Sequence, residues 1–391
     1  MMNESRICAE PYALVSPEGE VLFDPERENH KNTVTRRFDI NVGFKCNLRC
    51  KFCYYLESIK AGDTKDLSTE EIKRRLRVGR EWGKTAVDLT GGEPTLRPDL
   101  PEIVAYARSI GYETVCIITN GSVVGSKEGY IEHLVEKGLN DILISLHGAV
   151  DATHEEFTGR TGSYERVLNT ARRVSGIEGL RFRFNYVVCE RNFDEVENAA
   201  DLMASFNPNA INFIVFQPTR DALKAEGSIK IRSYREIAEP IKRAIDKHRR
   251  TVPHINVRDV PYCVMKGYEP HVKPLYQLQY EKVEWDYCLD VIFKKKWPFF
   301  LGSVAFGAML CLENPYLYRA DLDNKLHMAL QRARMHTMRK KGPACRKCSV
   351  NDICDGLARE YAEMWGTEEL SSYSGKRISN PTYFMPRDEI E

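Results

Sequence analysis

Three cysteines near the start of the chain have a spacing that suits metal chemistry: Cys46, Cys50 and Cys53. They follow an apolar segment that predicts a strand, so their loop lies at its carboxyl end, where parallel α/β folds bind ligands. Thiolates suit zinc or iron–sulfur clusters, and a structural zinc site needs four ligands. The nearest other candidates, His30 and Cys116, are distant in the sequence. The pattern therefore favours a four-iron cluster with one open iron; a group of core cysteines, or zinc with a distant fourth ligand, is the alternative.

Three further motifs follow later predicted strands, in order along the chain. They are Gly91-Gly92-Glu93-Pro94, Thr119-Asn120-Gly121 and Ser145-Leu146-His147-Gly148. Glycine lets the backbone approach a ligand closely, and the Glu93 carboxylate can accept a charge-assisted hydrogen bond. Taken singly, each motif could be a turn, and His147 could be a core histidine. Their common place after successive strands favours one shared ligand site.

Together these residues resemble the radical S-adenosylmethionine (SAM) superfamily. The resemblance rests on Cys-x3-Cys-x2-Cys after the first strand, with Phe52 before the third cysteine, and on the later motifs. It implies a [4Fe–4S] cluster on Cys46, Cys50 and Cys53, whose open iron chelates the amine and carboxylate of SAM. It also implies that Glu93 receives the SAM amino group and that the region of Ser145 contacts the ribose. The residues expected to bind the cofactor are Phe52, Gly91, Gly92, Glu93, Pro94, Asn120, Ser145 and Asn185.

Strands and helices alternate along most of the chain, which sets the expected fold. Short apolar runs predict strands at Phe38–Val42, Ala86–Leu89, Thr114–Ile118, Asp141–Ser145, Phe182–Val188 and Ile211–Phe216. Helices are predicted over Thr69–Trp82, Asp99–Ser109, Gly129–Lys137, Tyr164–Val174, Asp194–Phe206 and Ser233–Arg249. This alternation predicts an α/β fold with a parallel sheet, either flat or closed into part of a barrel. The family resemblance implies a partial (β/α)6 TIM-like barrel.

The alternation ends near residue 250, which predicts a division into domains. A radical SAM core barrel is expected over residues 38–250, after an N-terminal hairpin extension over 1–37. A smaller cysteine-rich domain is expected over 255–365, followed by a polar C-terminal tail over 366–391. The length of 391 residues is consistent with two or three domains.

A second cysteine motif lies in the expected C-terminal domain, at Cys345, Cys348 and Cys354. Its Cys-x2-Cys-x5-Cys spacing resembles the SPASM and Twitch extensions of radical SAM enzymes, which hold auxiliary four-iron clusters. Upstream, Cys288 and Cys311 flank an apolar stretch, as cysteines do in that family. The resemblance implies one auxiliary [4Fe–4S] cluster, with Cys345 and Cys348 joined either by Cys354 or by Cys311 and Cys288. A zinc site on the same cysteines is the alternative.

The composition argues against several other classes of protein. Lys plus Arg number 57 and Asp plus Glu 56, so the net charge of +1 gives no support for binding nucleic acid or an acidic membrane. No signal peptide or membrane span is recognisable, which favours the reducing cytoplasm, where clustered cysteines are metal ligands or catalysts. The cysteines Cys8, Cys116 and Cys189 are expected to be small buried residues, and Cys263 is either buried, which is favoured, or near the substrate.

The function implied by the resemblance is radical chemistry. An electron from a donor such as flavodoxin or ferredoxin cleaves SAM to methionine and a 5′-deoxyadenosyl radical, which abstracts hydrogen from the substrate. A small-molecule substrate is preferred, with oxidation, epimerisation or rearrangement as the outcome, since the 37 residues before the barrel leave little room for a peptide-binding domain. A ribosomal-peptide maturase and a non-catalytic iron–sulfur or zinc protein are the alternatives. The sequence identifies no catalytic residue.

Overall fold

The computed structural model describes residues 14–30, 35–53, 55, 65–217, 232–275, 280–281 and 338–386. Two of the predicted cluster ligands, Cys288 and Cys311, lie outside these residues. The described chain divides into two compact units. The first contains residues 36–217, 232 and 239–256, and the second contains residues 14–35, 233–238 and the described residues from 257 onward.

The elements below are numbered in chain order. The strands are β1 (Glu20–Val21), β2 (Arg37–Asn41), β3 (Ala86–Thr90), β4 (Thr114–Thr119), β5 (Asp141–Ser145), β6 (Arg181–Val188), β7 (Ala210–Val215), β8 (His254–Arg258), β9 (Val272–Lys273), β10 (Tyr280–Glu281), β11 (Arg339–Lys340), β12 (Leu357–Ala358) and β13 (Ser374–Gly375). The α-helices are α1 (Pro25–Asn29), α2 (Thr69–Glu81), α3 (Leu100–Ser109), α4 (Ser122–Ser126), α5 (Tyr130–Glu136), α6 (Asp151–Thr158), α7 (Ser163–Val174), α8 (Val196–Ala204), α9 (Tyr234–His248) and α10 (Arg359–Trp365). None of these described helices is long and apolar enough to cross a membrane.

The first unit is built on a sheet whose strands follow chain order from β2 to β8. Strands β2 to β7 pair in parallel, with Ile40 beside Leu89 and Ile142 beside Phe182 as examples of the register. At least one helix lies between every two successive strands of this series along the chain. The predicted α/β class and the partial TIM-like barrel are confirmed, and the carboxyl ends of all these parallel strands lie at one edge.

The predicted elements of the barrel agree with the structure almost residue by residue. The six predicted strands match β2 to β7 to within one residue at each end, and the six predicted helices match α2, α3, α5, α7, α8 and α9 to within two. Helix α2 begins as predicted, because the Ser68 side chain accepts a hydrogen bond from the Glu71 N–H and so caps the first turn. Its apolar face is buried through Ile72 and Leu76.

Three elements of the sheet and its connections were not predicted. Strand β8 follows residue 250, where the alternation was expected to end. Its buried residues Ile255 and Val257 alternate with polar ones, so no apolar run marks it. Helices α4 and α6 are short, and α6 buries only His154, Phe157 and Thr158, which is too few residues to give a helical apolar pattern.

Charged side chains are buried between the strands of the first unit. The Asp88 and Asp141 side chains are fully buried. Arg183 pairs with Asp141 through two hydrogen bonds of 3.0 and 2.9 Å, and Arg37 reaches Asp141 at 3.1 Å. A buried carboxylate without a partner destabilises the folded state. These arginines offset the cost of burying the two aspartates and help to hold the register of four strands.

The second unit joins residues from near both ends of the described chain. Strand β1 pairs in parallel with β13, with Glu20 beside Ser374. The Arg27 guanidinium donates hydrogen bonds to the backbone oxygens of Tyr383 and Met385, both at 2.9 Å. Tyr383 is fully buried. Residues 366–386, expected to belong to a polar tail, therefore contribute core side chains; their buried aromatic residues are too widely spaced among polar ones to form a visible apolar run.

Candidate active site

A cavity of roughly 180 Å³ opens at the carboxyl ends of β3, β4 and β5. The three N-terminal cysteines lie on its wall, and each is partly exposed. Five more of the predicted cofactor-binding residues line the same cavity: Phe52, Gly91, Gly92, Asn120 and Ser145. Residues from five separate segments of the sequence thus meet around one space.

The cysteine loop is held from outside by the end of α6. The Arg49 N–H donates a 2.9 Å hydrogen bond to the Thr158 oxygen, and the Lys51 N–H donates one of equal length to the Phe157 oxygen. Leu48 is buried beneath the loop. Helix α6, which the sequence pattern did not predict, is therefore part of what fixes the positions of the cysteines.

The two glycines after β3 are required by contact with the chain that leads into the cysteine loop. A Cβ atom on Gly92 would lie 2.3 Å from the Lys45 oxygen, and one on Gly91 would lie 2.3 Å from the Gly43 oxygen. Gly91 also has a φ of +130°, which side chains rarely tolerate. The Gly92 N–H donates a 2.7 Å hydrogen bond to Gly43. The glycines therefore join the end of β3 to the segment before Cys46, and both also line the cavity.

Glu93 does not line the cavity; it is buried behind it. One carboxylate oxygen accepts hydrogen bonds from the Thr95 N–H at 3.1 Å and from the Thr119 hydroxyl at 2.7 Å. The other oxygen accepts the Asn120 N–H at 2.7 Å. Burial raises the pKa of Glu93, and these hydrogen bonds act against that rise. In this arrangement Glu93 positions the turn that carries Asn120.

Asn120 connects that turn to the first cysteine. Its Nδ2 lies 3.8 Å from the Cys46 Sγ and donates a 2.9 Å hydrogen bond to the Asn47 side chain. The Leu48 N–H also points at the Cys46 Sγ, at 3.5 Å. N–H groups around a cysteine sulfur are the usual surroundings of a metal-bound thiolate, because they stabilise its negative charge.

His147 and Phe52 form one side of the cavity. Their ring centroids are 4.5 Å apart in an edge-to-face contact. The His147 Nδ1 accepts a 3.3 Å hydrogen bond from the Val187 N–H, so a neutral ring carries its proton on Nε2. Burial, and then the neighbouring His154, lower the pKa of His147 well below its usual range. The His147 side chain is thus neutral. In the sequence, its position just after the predicted strand at Asp141–Ser145 marked it as a candidate site residue.

Besides Glu93, two other predicted residues, Pro94 and Asn185, stand apart from the cavity wall. Pro94 begins a single 3-10 turn over Pro94–Leu96 and is buried. Asn185 pairs with Ser145 in the register of β5 and β6. Its Oδ1 accepts a 3.0 Å hydrogen bond from the Asn212 amide, whose oxygen in turn accepts one of 2.9 Å from Asn256. Asn185 therefore belongs to a row of asparagines across three adjacent strands.

The cavity wall fits a cluster better than a single metal ion. Among the described residues, no three His, Cys, Asp or Glu side chains converge as one ion would require. A four-iron cluster binds each cysteine through a different iron, so its thiolates need not converge. Burial, followed by the charges of Cys46 and Cys53, raises the pKa of Cys50 to about 12. Metal binding at this loop must therefore displace protons from the thiols.

The C-terminal cysteines lie together in the second unit. Cys345 lies within the 3-10 turn Pro343–Lys347 and Cys348 directly follows it, and the Cys348 N–H donates a 3.2 Å hydrogen bond to the Cys345 oxygen. Both are buried, as is Cys354. Cys263, for which burial was favoured over a place near the substrate, is partly exposed and belongs to the same unit.

Comparisons with known proteins agree with the motifs. The model of the radical SAM superfamily matches residues 40–203. A probable GTP 3′,8-cyclase from Saccharolobus solfataricus is 31% identical over 242 residues, which cover 61% of this chain and 75% of that protein. A probable GTP 3′,8-cyclase from Sulfolobus acidocaldarius is 34% identical over 185 residues, or 46% of this chain and 55% of that protein.

Among solved structures, SuiB from Streptococcus suis bound to S-adenosylmethionine resembles this chain. The TM-score is 0.48 and the sequence identity is 17%. The match covers 57% of this chain and 50% of that one, so the chain spans about half the length of SuiB.

Proposed function

The chain belongs to the radical SAM superfamily, whose enzymes cleave SAM by a radical mechanism at an iron–sulfur cluster, and from this premise we propose that it abstracts hydrogen from a small-molecule substrate. The observation that carries the proposal is the convergence of Cys46, Cys50 and Cys53 with residues of the three other motifs on one cavity. A non-catalytic iron–sulfur protein would have no use for that surrounding wall.

The residues proposed to hold the cofactors are those of the cavity wall. Cys46, Cys50 and Cys53 would bind the [4Fe–4S] cluster, which when bound supplies the electron that breaks a carbon–sulfur bond of SAM. Phe52 and His147 supply an apolar side against which SAM can pack and from which water is excluded. Asn120 and Ser145 supply polar groups for SAM at the ends of β4 and β5.

Glu93 takes a different part in this proposal from the one that the family resemblance implies. Its two oxygens already accept hydrogen bonds from Thr95, Thr119 and Asn120. We assign it the role of positioning Asn120, whose amide lies beside Cys46. Contact with the SAM amino group then comes from the backbone and side chains that line the cavity.

The proposed reaction balances with one external electron per SAM. One electron and SAM give methionine and the 5′-deoxyadenosyl radical; that radical takes a hydrogen atom from the substrate and becomes 5′-deoxyadenosine. A low-potential donor of the flavodoxin or ferredoxin class would deliver the electron. The substrate radical that remains would then be oxidised, epimerised or rearranged.

A small molecule is the proposed substrate class, and the names of the relatives support it. Both cyclases described above are named for GTP, a nucleotide. GTP is therefore the first compound to test, followed by other nucleotides, sugars and amino-acid derivatives.

The test uses anaerobically reconstituted protein with dithionite and SAM, and 5′-deoxyadenosine is quantified by liquid chromatography and mass spectrometry. We expect slow formation with SAM alone and a rise of at least tenfold with the correct small molecule. With a deuterated substrate, deuterium should appear in 5′-deoxyadenosine. If a peptide raised the rate and no small molecule did, the proposed substrate class would be wrong.

A further inference from the structure

We propose that Cys263 is the fourth thiolate of an auxiliary [4Fe–4S] site that it forms with Cys345, Cys348 and Cys354. All four cysteines belong to the second unit of the chain. None of these four cysteines takes part in the proposed SAM chemistry, so the auxiliary site and the proposed function can be disproved independently of each other.

The first observation is that one short segment contacts two of the four sulfurs. The Ser371 N–H points at the Cys263 Sγ at 3.5 Å, and the Tyr373 N–H points at the Cys348 Sγ at 3.3 Å. Two amides that are two residues apart can be separated by at most about 7 Å. Residues 371–373 therefore bring Cys263, which precedes Cys348 by 85 positions in the sequence, to the same side of the fold as the C-terminal motif.

The second observation links Cys263 to Cys354. Backbone groups of Gly356 and Tyr262 lie within hydrogen-bonding reach of the Cys354 thiol. Tyr262 is the residue immediately before Cys263. The turn Tyr262–Met265 thus lies against Cys354 as well as presenting Cys263.

The turn itself is fixed by buried side chains. The Tyr373 hydroxyl lies 2.7 Å from the Glu269 carboxylate and 3.0 Å from the Tyr262 backbone oxygen, and its one hydrogen is shared between these two acceptors. All three side chains are buried. One residue, Tyr373, therefore directs its N–H at the sulfur of Cys348 and its hydroxyl at the backbone next to Cys263, which holds the two cysteines in a fixed relation.

A cluster, and not a single ion, is the group that we assign to these four cysteines. In a tetrahedral zinc site with Zn–S distances of about 2.3 Å, the sulfurs are about 3.8 Å apart and converge on one point. No three ligating side chains of the described residues converge in that way. Four thiolates on four different irons are spaced more widely, and N–H groups directed at the sulfurs are what such clusters use to tune their potential.

The assignment also gives the C-terminal motif a complete ligand set. Residues 355–391 contain no cysteine and so supply no fourth thiolate. Cys288 and Cys311, the ligands expected from the family resemblance, are the competing assignment. They lie outside the described residues, and the test includes an alanine variant of each.

The test removes the first site so that only the second can hold iron. In a chain with Cys46, Cys50 and Cys53 replaced by alanine, anaerobic reconstitution should leave about four irons per chain, as one [4Fe–4S] cluster requires. Adding Cys263→Ala should lower the count to three or fewer and change the electron paramagnetic resonance spectrum of the dithionite-reduced protein. Circular dichroism checks that each variant is folded.

Two control variants are matched to this change. Cys116→Ala removes a buried thiol from the first unit, and Val264→Ala disturbs the same turn without removing a sulfur; both should keep about four irons in that background. The proposal is overturned if Cys263→Ala keeps the full iron count with an unchanged spectrum. It is also overturned if Cys288→Ala or Cys311→Ala loses the iron while Cys263→Ala does not, or if the site binds zinc and no iron.

Discussion

The Glu93 carboxylate accepts a 2.7 Å hydrogen bond from the backbone N–H of Asn120, which joins two motifs that follow different strands of the barrel. Asn120 in turn places its amide 3.8 Å from the sulfur of Cys46. The acidic residue of the Gly-Gly-Glu-Pro motif is thereby connected to the cysteine loop through one intermediate residue.

Replacing Glu93 by glutamine should weaken this connection. Glutamine has an NH2 group in place of one of the two carboxylate oxygens. This group would face a backbone N–H such as that of Asn120, and two donors cannot bond, so at least one hydrogen bond is lost. Losing a charge-assisted hydrogen bond costs about 1.5–3 kcal/mol, and we expect 5′-deoxyadenosine formation to fall at least tenfold. Glu132→Gln, on the exposed face of α5, is the matched control and should behave as the wild type. Wild-type activity in Glu93→Gln would contradict the positioning role.

Replacing Gly92 by alanine should disturb the cysteine loop directly. The added Cβ would meet the Lys45 oxygen at 2.3 Å, which forces a backbone shift next to Cys46. Overpacking of this kind typically costs about 1–3 kcal/mol. We expect the Gly92→Ala protein to bind less iron at the first site and to form less 5′-deoxyadenosine.

Gly176→Ala provides the comparison for this change. A Cβ at Gly176 would approach only the Arg173 oxygen, at an ordinary 3.7 Å. Iron content and melting temperature of this variant should equal those of the wild type. Equal iron contents in the two alanine variants would show that the close approach at Gly92 does not matter for the cysteine loop.

His154 should make the stability of the cluster-free protein depend on pH. Burial lowers its pKa to about 4, and its Nε2 has no hydrogen-bond partner among the described residues. Because the unfolded state takes up a proton near pH 6.5 and the folded state does not, stability is complete above pH 6.5 and falls as the pH drops towards 4. Between pH 7 and pH 5 this effect is worth about 2 kcal/mol.

The variant His154→Asn isolates that effect. In the wild type, the backbone N–H of His147 donates a 3.2 Å hydrogen bond to the His154 Nδ1. The side-chain oxygen of asparagine can accept this hydrogen bond in its place, but asparagine has no ring that titrates. Urea unfolding at pH 7 and pH 5 should show a smaller loss of stability on acidification than in the wild type. His133→Asn, at an exposed position, should leave the loss unchanged. A loss of equal size in His154→Asn and the wild type would show that His154 is not the source.

The barrel could be predicted because its strands carry their own signal. Strand β3, for example, buries Val87 and Leu89 completely, and apolar runs of this kind are visible without any neighbour. Strand β8 could not be predicted, because its apolar residues alternate with His254, Asn256 and Arg258. Its place beside the other strands depends on tertiary contacts that leave no local pattern.

The site could be predicted in part for the same reason. Cysteine spacing and strand-end motifs are local, so the three cysteines and five of the eight residues expected to bind the cofactor could be predicted to lie near one another, and these eight residues line the cavity. The role of Glu93 as a buried acceptor behind the wall, and the approach of Gly92 to Lys45, are contacts between distant segments. The relation of Cys263 to Cys348 is likewise visible only through residues 371–373.

The most direct test of the central claim compares Cys50→Ala with Cys116→Ala. Cys50 lies on the cavity wall, whereas Cys116 is a buried thiol on β4 that does not line it. Both proteins are reconstituted anaerobically, given dithionite and SAM, and assayed for 5′-deoxyadenosine. We predict that Cys116→Ala forms the product and that Cys50→Ala forms none above the protein-free background while its C-terminal cysteines still hold iron. Product formation by Cys50→Ala at the wild-type rate would contradict the assignment of the first cluster and of the SAM site.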